Sequence, residues 1–277
     1  MASGPAPASR SRRTLPLVAI VVAIALVLAA IGGFIYLFGQ SVPAAVSLAT
    51  ASPAGATPAA ASGAASASSA AASGGAVASP ATSAGASADA GSTSLDGTWT
   101  VDGSIGSFSD FTDSFVGYRV AEQLVNVGAT TAVGRTPKVS GSLTVSGTTI
   151  TAATITADLT ALQSDRSMRD GQLHSQAIET DEYPTATFVL AAPIQLDHLP
   201  AEGETVSATA VGDLTLHGVM KRVSIPVQAK LSNGVVTVVG SLPITFADYS
   251  ITPPHSMLVL SVADNGTMEL QLHFAKG

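Results

Sequence analysis

Five histidines, His174, His198, His217, His255 and His273, are the side chains here that titrate nearest neutral pH, and no two of them stand at a metal-ligand spacing. The chain has no cysteine, which removes thiolate nucleophiles and disulfides. No Gly-x-Ser-x-Gly elbow occurs, and no phosphate-cradling glycine loop precedes a helix. His217 reads as a turn residue and His273 as a polar-face strand residue. These groups outline no catalytic constellation, no metal site and no cofactor site. The remaining candidates are large apolar side chains. Phe115, Tyr118, Phe188, Phe246, Tyr249 and Met268 are large apolar residues in alternating segments, and each reads either as core packing or as cavity wall. Arg169 and Asp170 fall in a polar stretch, where they read either as a surface pair or as groups at a cavity mouth. Burying about ten methylenes at about 0.8 kcal/mol each yields roughly 8 kcal/mol before association costs. A single apolar chain of that size would then reach micromolar affinity without a charged anchor.

Such a cavity needs walls, and the chain from residue 95 onward is patterned as strands. Val139, Gly141, Leu143 and Val145 alternate with Ser and Thr, and a Ser146-Gly147 turn leads to a second strand from Ile150 to Ala157. Val206 to Leu216 and Val223 to Leu231 form two apolar rows joined at His217-Gly218. Asn233-Gly234, the strongest short hairpin signal in the chain, leads into Val235 to Leu242. Asp264-Asn265-Gly266 reads as a turn between Met257–Val262 and Thr267–Phe274. The sequon Asn265-Gly266-Thr267 gives way to that turn reading. The expected fold is all-β: about eight antiparallel strands that either close into a barrel or split into a sandwich. Closure removes aggregation-prone edges and leaves room for side chains or one small ligand. Asp165 to Glu182 breaks the alternation and predicts about three turns of helix, with Ser167 and Asp170 as a capping box.

From Thr14 to Ala88 the chain has no Asp, Glu, Lys, Arg or His. Residues 15–39 are almost wholly apolar, which is enough to span a bilayer core of roughly 20 residues as a helix. Arg10, Arg12 and Arg13 flank it on one side only, so residues 1–14 are expected in the cytoplasm and residues 40 onward outside. The length favours a retained signal anchor over a cleaved export signal, although Ser11-Arg12-Arg13 also fits a twin-arginine signal. Residues 40–94 are dominated by Ala, Ser, Gly, Thr and Pro, a composition too poor in large apolar side chains to offset chain entropy. They predict a disordered tether with a reach of roughly 40 Å. The folded unit is 95–277. The chain has 19 acidic and 12 basic side chains, three of the latter before the apolar run, and no basic cluster suited to nucleic acid.

Taken together, 95–277 resembles the YceI family of extracytoplasmic lipid-binding proteins. The motifs carrying the resemblance are Trp99-Thr100-Val101-Asp102, Arg169-Asp170 followed by Leu173, Tyr183-Pro184-Thr185-Ala186-Thr187-Phe188, Gly212 to Val219 with Lys221, and Phe246 to Ile251. The chain departs from the family pattern at the Gly103 to Ser107 stretch, at Gln172, and before Asp248, where an arginine is absent. The resemblance implies a lipocalin-like antiparallel barrel that binds polyisoprenoid or a similar long-chain amphiphile without catalysis. A ligand-free β-domain displayed on a stalk, structural or partner-binding, is the competing expectation.

Overall fold

Two tight turns show how the alternating sequence doubles back. His217 and Gly218 have φ of 51° and 71°, and Asn233 and Gly234 have φ of 52° and 76°. Positive φ at both central residues matches the right-handed twist of the flanking strands, which is why Asn-Gly and His-Gly serve here. These turns join β9 (Thr205–Leu216), β10 (Val219–Ser232) and β11 (Val235–Thr245). The computed structural model describes residues 42–51, 94–254 and 259–277. The expected membrane span at 15–39 and the stretch 52–93 lie outside the described residues. Among the described residues, no helix is long and apolar enough to cross a membrane.

The other strands are β1 (Gly97–Val101), β2 (Phe115–Leu124), β3 (Gly128–Thr136), β4 (Val139–Ser146), β5 (Thr149–Asp158), β6 (Gln163–Ser164), β7 (Thr185–Leu190), β8 (Ile194–Gln195), β12 (Val259–Val262) and β13 (Asn265–Lys276). They make a closed, eight-stranded antiparallel barrel in the order β1-β4-β5-β7-β9-β10-β11-β13, with β13 returning to β1. Several staves are built from two segments laid end to end. Along β13, β1 pairs at Phe274 to Lys276 and β2 at Thr267 to Gln271. β4 and β3 pair with β1 and β2 in the same way. The loop 102–114 leaves the stave between β1 and β2 and folds over the outer face.

Two local expectations are corrected. Asp264-Asn265-Gly266 is not a hairpin turn. β12 pairs with β2 at Glu122 to Leu124, and β13 continues along the same strand at Arg119 to Phe115. The two segments form one interrupted stave. Gly266 is there for close approach, since a Cβ would stand 2.9 Å from Val120 Cγ2 and 3.0 Å from the Arg119 carbonyl oxygen. The helix has about its expected length but is capped differently. It runs from Ser167 to Gln172 and continues as one π-helical turn, Leu173–Ala177, with no side-chain cap from Arg166. Asp170 reaches back past the helix start, accepting from the Ser164 amide at 2.9 Å and its hydroxyl at 2.6 Å.

β13 shows how the outer face is sealed. Met268, Leu270, Leu272 and Phe274 point inward, while Glu269, Gln271 and His273 point outward yet are 1%, 1% and 0% exposed. Gln271 Nε2 donates to the Asp113 carbonyl at 2.7 Å, and the His273 amide donates to Ser114 Oγ at 2.9 Å. His273 Nε2 lies 2.8 Å from the Thr112 carbonyl and Nδ1 lies 2.9 Å from Thr237 Oγ1. Burial pushes the His273 imidazole below its ordinary value and pushes the Asp113 carboxyl up to about 6. The signs oppose. The His273 contribution is complete above its unfolded value and is lost as pH falls. Asp113 binds its proton more tightly when folded, so it favours folding near pH 4 and weakens it as pH rises through 6. Asp113→Asn is expected to stabilise the protein by about 2–3 kcal/mol at pH 7.5 and much less at pH 4. Urea denaturation at both pH values checks this; an equal gain at both would refute it.

The stretch assigned by composition to the tether is partly docked. Arg119 donates to the Pro43 carbonyl, Arg135 to the Ala44 carbonyl at 2.9 Å, and the Val46 amide to Glu269 at 3.4 Å. Ala51 is fully buried. Residues 42–51 therefore form a strap on the outer face of β13, β2 and β3.

Candidate binding cavity

Period-two alternation places one row of each strand inside the barrel, and these rows leave a gap along the axis rather than meeting. The larger lobe is about 170 Å³. Its walls are Leu, Ile, Val, Ala, Phe and Met from every barrel strand, with Trp99, Pro200 and Thr187, so nothing ionisable lines it. The Trp99 indole N–H is satisfied by the Leu95 carbonyl at 2.8 Å. A second lobe of about 130 Å³ lies toward the helix end. Val116, Ala186 and Met268 line both lobes and form the waist between them.

The second lobe carries polar groups. Arg169 ion-pairs with Glu122 at 2.5 Å and with Asp165 at 2.5 Å. Burial opposes the Arg169 charge, but the two carboxylates outweigh it and hold the guanidinium above its ordinary value. Tyr118 lies on the same strand face as Glu122, four residues earlier. Its hydroxyl is buried and has no hydrogen-bond partner among the described residues. Burial pushes the Tyr118 phenol up, so it stays a neutral O–H donor. An unpaired buried hydroxyl costs roughly 1–3 kcal/mol. The cavity is thus amphipathic along its axis: purely apolar in one lobe, with a free donor and an ion pair in the other.

The residues singled out from sequence separate into groups. Phe188 and Met268 lie on the wall of the larger lobe, and Tyr118, Arg169, Phe246 and Met268 on that of the second. Phe115 does not face the cavity. It points outward, 1% exposed, with the Arg135 guanidinium 4.2 Å from its ring centre. Asp170 is engaged by Ser164 rather than placed at a mouth. Tyr249 is packed in the core beside Leu216 and Ile251 and lines neither lobe. Sequence reasoning missed Glu122, although its spacing of two and four residues from Val120 and Tyr118 put all three on one face. His217 sits at its turn, with Nδ1 3.0 Å from the Tyr249 carbonyl and Nε2 3.0 Å from Glu179.

A closed eight-stranded antiparallel barrel with an apolar axial cavity belongs to the class of small-ligand binding barrels. The chain belongs to the YceI-like domain family, whose model matches residues 99–274. No curated protein matches the chain. Among solved structures, it is similar to BcnA of Burkholderia cenocepacia, at 23% identity, TM-score 0.46, over 58% of this chain and 95% of that one. It is also similar to a polyisoprenoid binding domain from Saccharophagus degradans implicated in plant cell wall breakdown, at 20% identity, TM-score 0.47, over 59% and 94%. A YceI protein of Campylobacter jejuni aligns at 14% identity, TM-score 0.44, over 56% and 88%.

Proposed function

We propose that this protein is a membrane-tethered extracytoplasmic binding protein for a polyisoprenoid or similar long-chain amphiphilic lipid. It holds that chain in the barrel without catalysis. The observation that carries the reading is the two-lobed cavity: an apolar lobe suited to a hydrocarbon tail joined to one with the unpaired Tyr118 hydroxyl and the Arg169–Glu122 pair. The description of the Saccharophagus degradans relative as a polyisoprenoid binding domain concerns that protein, and its ligand is adopted here as a proposal for this one. The one-sided arginine flank and the apolar run at 15–39 support an anchor with the barrel outside.

Organic extraction of the purified full chain followed by mass spectrometry is expected to yield a long-chain lipid in near-stoichiometric amount; protein purified empty that also takes up none would sink the proposal. The polar end is tested separately. Tyr118→Phe should weaken binding of a polyisoprenyl alcohol about 5- to 30-fold, from the loss of one buried hydrogen bond of roughly 1–2 kcal/mol. The same change should leave binding of the corresponding hydrocarbon unaltered. Equal losses for both would place the headgroup elsewhere.

A further inference from the structure

The large hydrophobic side chains left in solvent are not scattered. Six are strongly exposed among the described residues: Val42 44%, Val127 41%, Met168 65%, Val189 46%, Met220 68% and Leu260 66%. All but Val189 lie at one end of the barrel. Val127 is in the turn joining β2 to β3, and Leu260 is on β12 against the end of β2. Met168 is on the helix, Met220 follows the His217-Gly218 turn, and Val42 begins the strap. This is the end that holds the second lobe, lined there by Leu173, Phe246, Pro253 and Pro254. The opposite end presents Ser146-Gly147-Thr148, Glu202-Gly203 and Asn233-Gly234. An apolar rim around the polar end of a lipid-sized cavity is unusual for a face surrounded only by water.

The path of the chain gives that rim its partner. Val42 and Pro43 share a groove with Leu124 and Val127, so the strap starts at the rim end. The apolar run closes at Phe38. Residues 39–41 then span at most about 10 Å. Residues 52–93 add nothing to this distance, because Pro43, Ala44 and Val46, which precede them, are already held on the barrel. The standoff from the anchor is set by three residues, not by a tether of some tens of ångströms.

We propose that the helix end of the barrel is a membrane-contacting face, seated on the phospholipid bilayer by the 42–51 strap with Val42, Val127, Met168, Met220 and Leu260 as its apolar rim. The cavity end that carries Tyr118 and Arg169 then faces the membrane, and a lipid can pass between bilayer and barrel without crossing bulk water. This inference rests on the anchor reading of residues 15–39. Side chains of this kind enter the interfacial region rather than the bilayer core.

The absence of cysteine allows single-site labelling. Met168→Cys, Met220→Cys and Leu260→Cys report on the rim, and Thr148→Cys and Asn233→Cys on the far end. The full chain carrying one fluorophore is reconstituted in phosphatidylcholine vesicles containing a spin-labelled lipid quencher. Rim labels should be quenched at least about threefold more than far-end labels. A Gly/Ser insertion of about twenty residues between 41 and 42 should abolish the difference, while the same insertion between 70 and 71 should leave it intact. Equal quenching at both ends, or loss of the difference only with the second insertion, overturns the proposal. Release of the chain from vesicles by alkaline carbonate is a separate outcome and removes the anchor reading instead.

Discussion

Glu269→Ala is expected to lower the unfolding free energy by about 3–5 kcal/mol, the cost of leaving buried charge uncompensated. Glu269 is 1% exposed and lies between two arginines. It accepts from Arg119 Nε at 2.6 Å and from Arg135 Nη2 at 3.4 Å. Arg135 is itself buried, its guanidinium stacked on Phe111 and Phe115 at 4.5 and 4.2 Å from the ring centres. Burial pulls the Arg135 guanidinium down, and Glu269 beside it is the main opposing influence. With the carboxylate gone, two like charges face each other on a sealed surface, and the strap loses its contact through the Val46 amide. Removing both arginines together with Glu269, as Arg119→Met, Arg135→Met and Glu269→Leu, should recover most of the loss, since a well-packed apolar replacement of a buried ionic cluster is often neutral. The single tryptophan, Trp99, is 3% exposed inside the barrel and reports unfolding cleanly by fluorescence. A loss below about 1 kcal/mol for Glu269→Ala would show that the cluster is solvated like a surface pair.

The second large effect concerns the waist. Ala186, 7% exposed on β7 and paired with Ala157 of β5, lines both lobes together with Val116 and Met268. Ala186→Phe places a ring where a chain threading from one lobe to the other must pass. If about half of ten buried methylenes are lost, the cost is about 4 kcal/mol, or roughly a thousandfold in affinity for a long isoprenoid. A short chain confined to the apolar lobe should bind within about threefold of the parent, because its contacts lie away from the waist. Overpacking is expected to cost about 1–3 kcal/mol of stability, so folding is checked first through Trp99. Unchanged affinity for the long chain would mean that the two lobes are not one site.

Much of the barrel was legible in local pattern. The rows Val206 to Leu216 and Met268 to Phe274 alternate so regularly that one face had to be buried, and Asn233-Gly234 named its own turn. Phe188, Phe246 and Met268 could be picked as large apolar residues in such segments. Their partition from Phe115 and Tyr249 could not. On β2, Phe115 stands three residues from Tyr118 and so takes the opposite face, but which face is inner depends on pairing with β13 and β3. Asp264-Asn265-Gly266 had the composition of a turn, yet Gly266 answers to a neighbour more than 140 residues earlier in the chain, Val120.

The sequence by itself determined the alternating β-pattern, the tight turns at 217–218 and 233–234, and the charge-free division between an apolar run and a small-residue stretch. Each is a short-range property: side-chain period, φ preference or composition. The tertiary structure alone decided that two segments share each of several staves, that Glu122 meets Arg169, and that residues 42–51 dock on Glu269, Arg119 and Arg135. Those contacts join residues 47, 76 and 223 positions apart. No local propensity encodes them, because the burial that makes a paired charge worth keeping exists only once the barrel has closed.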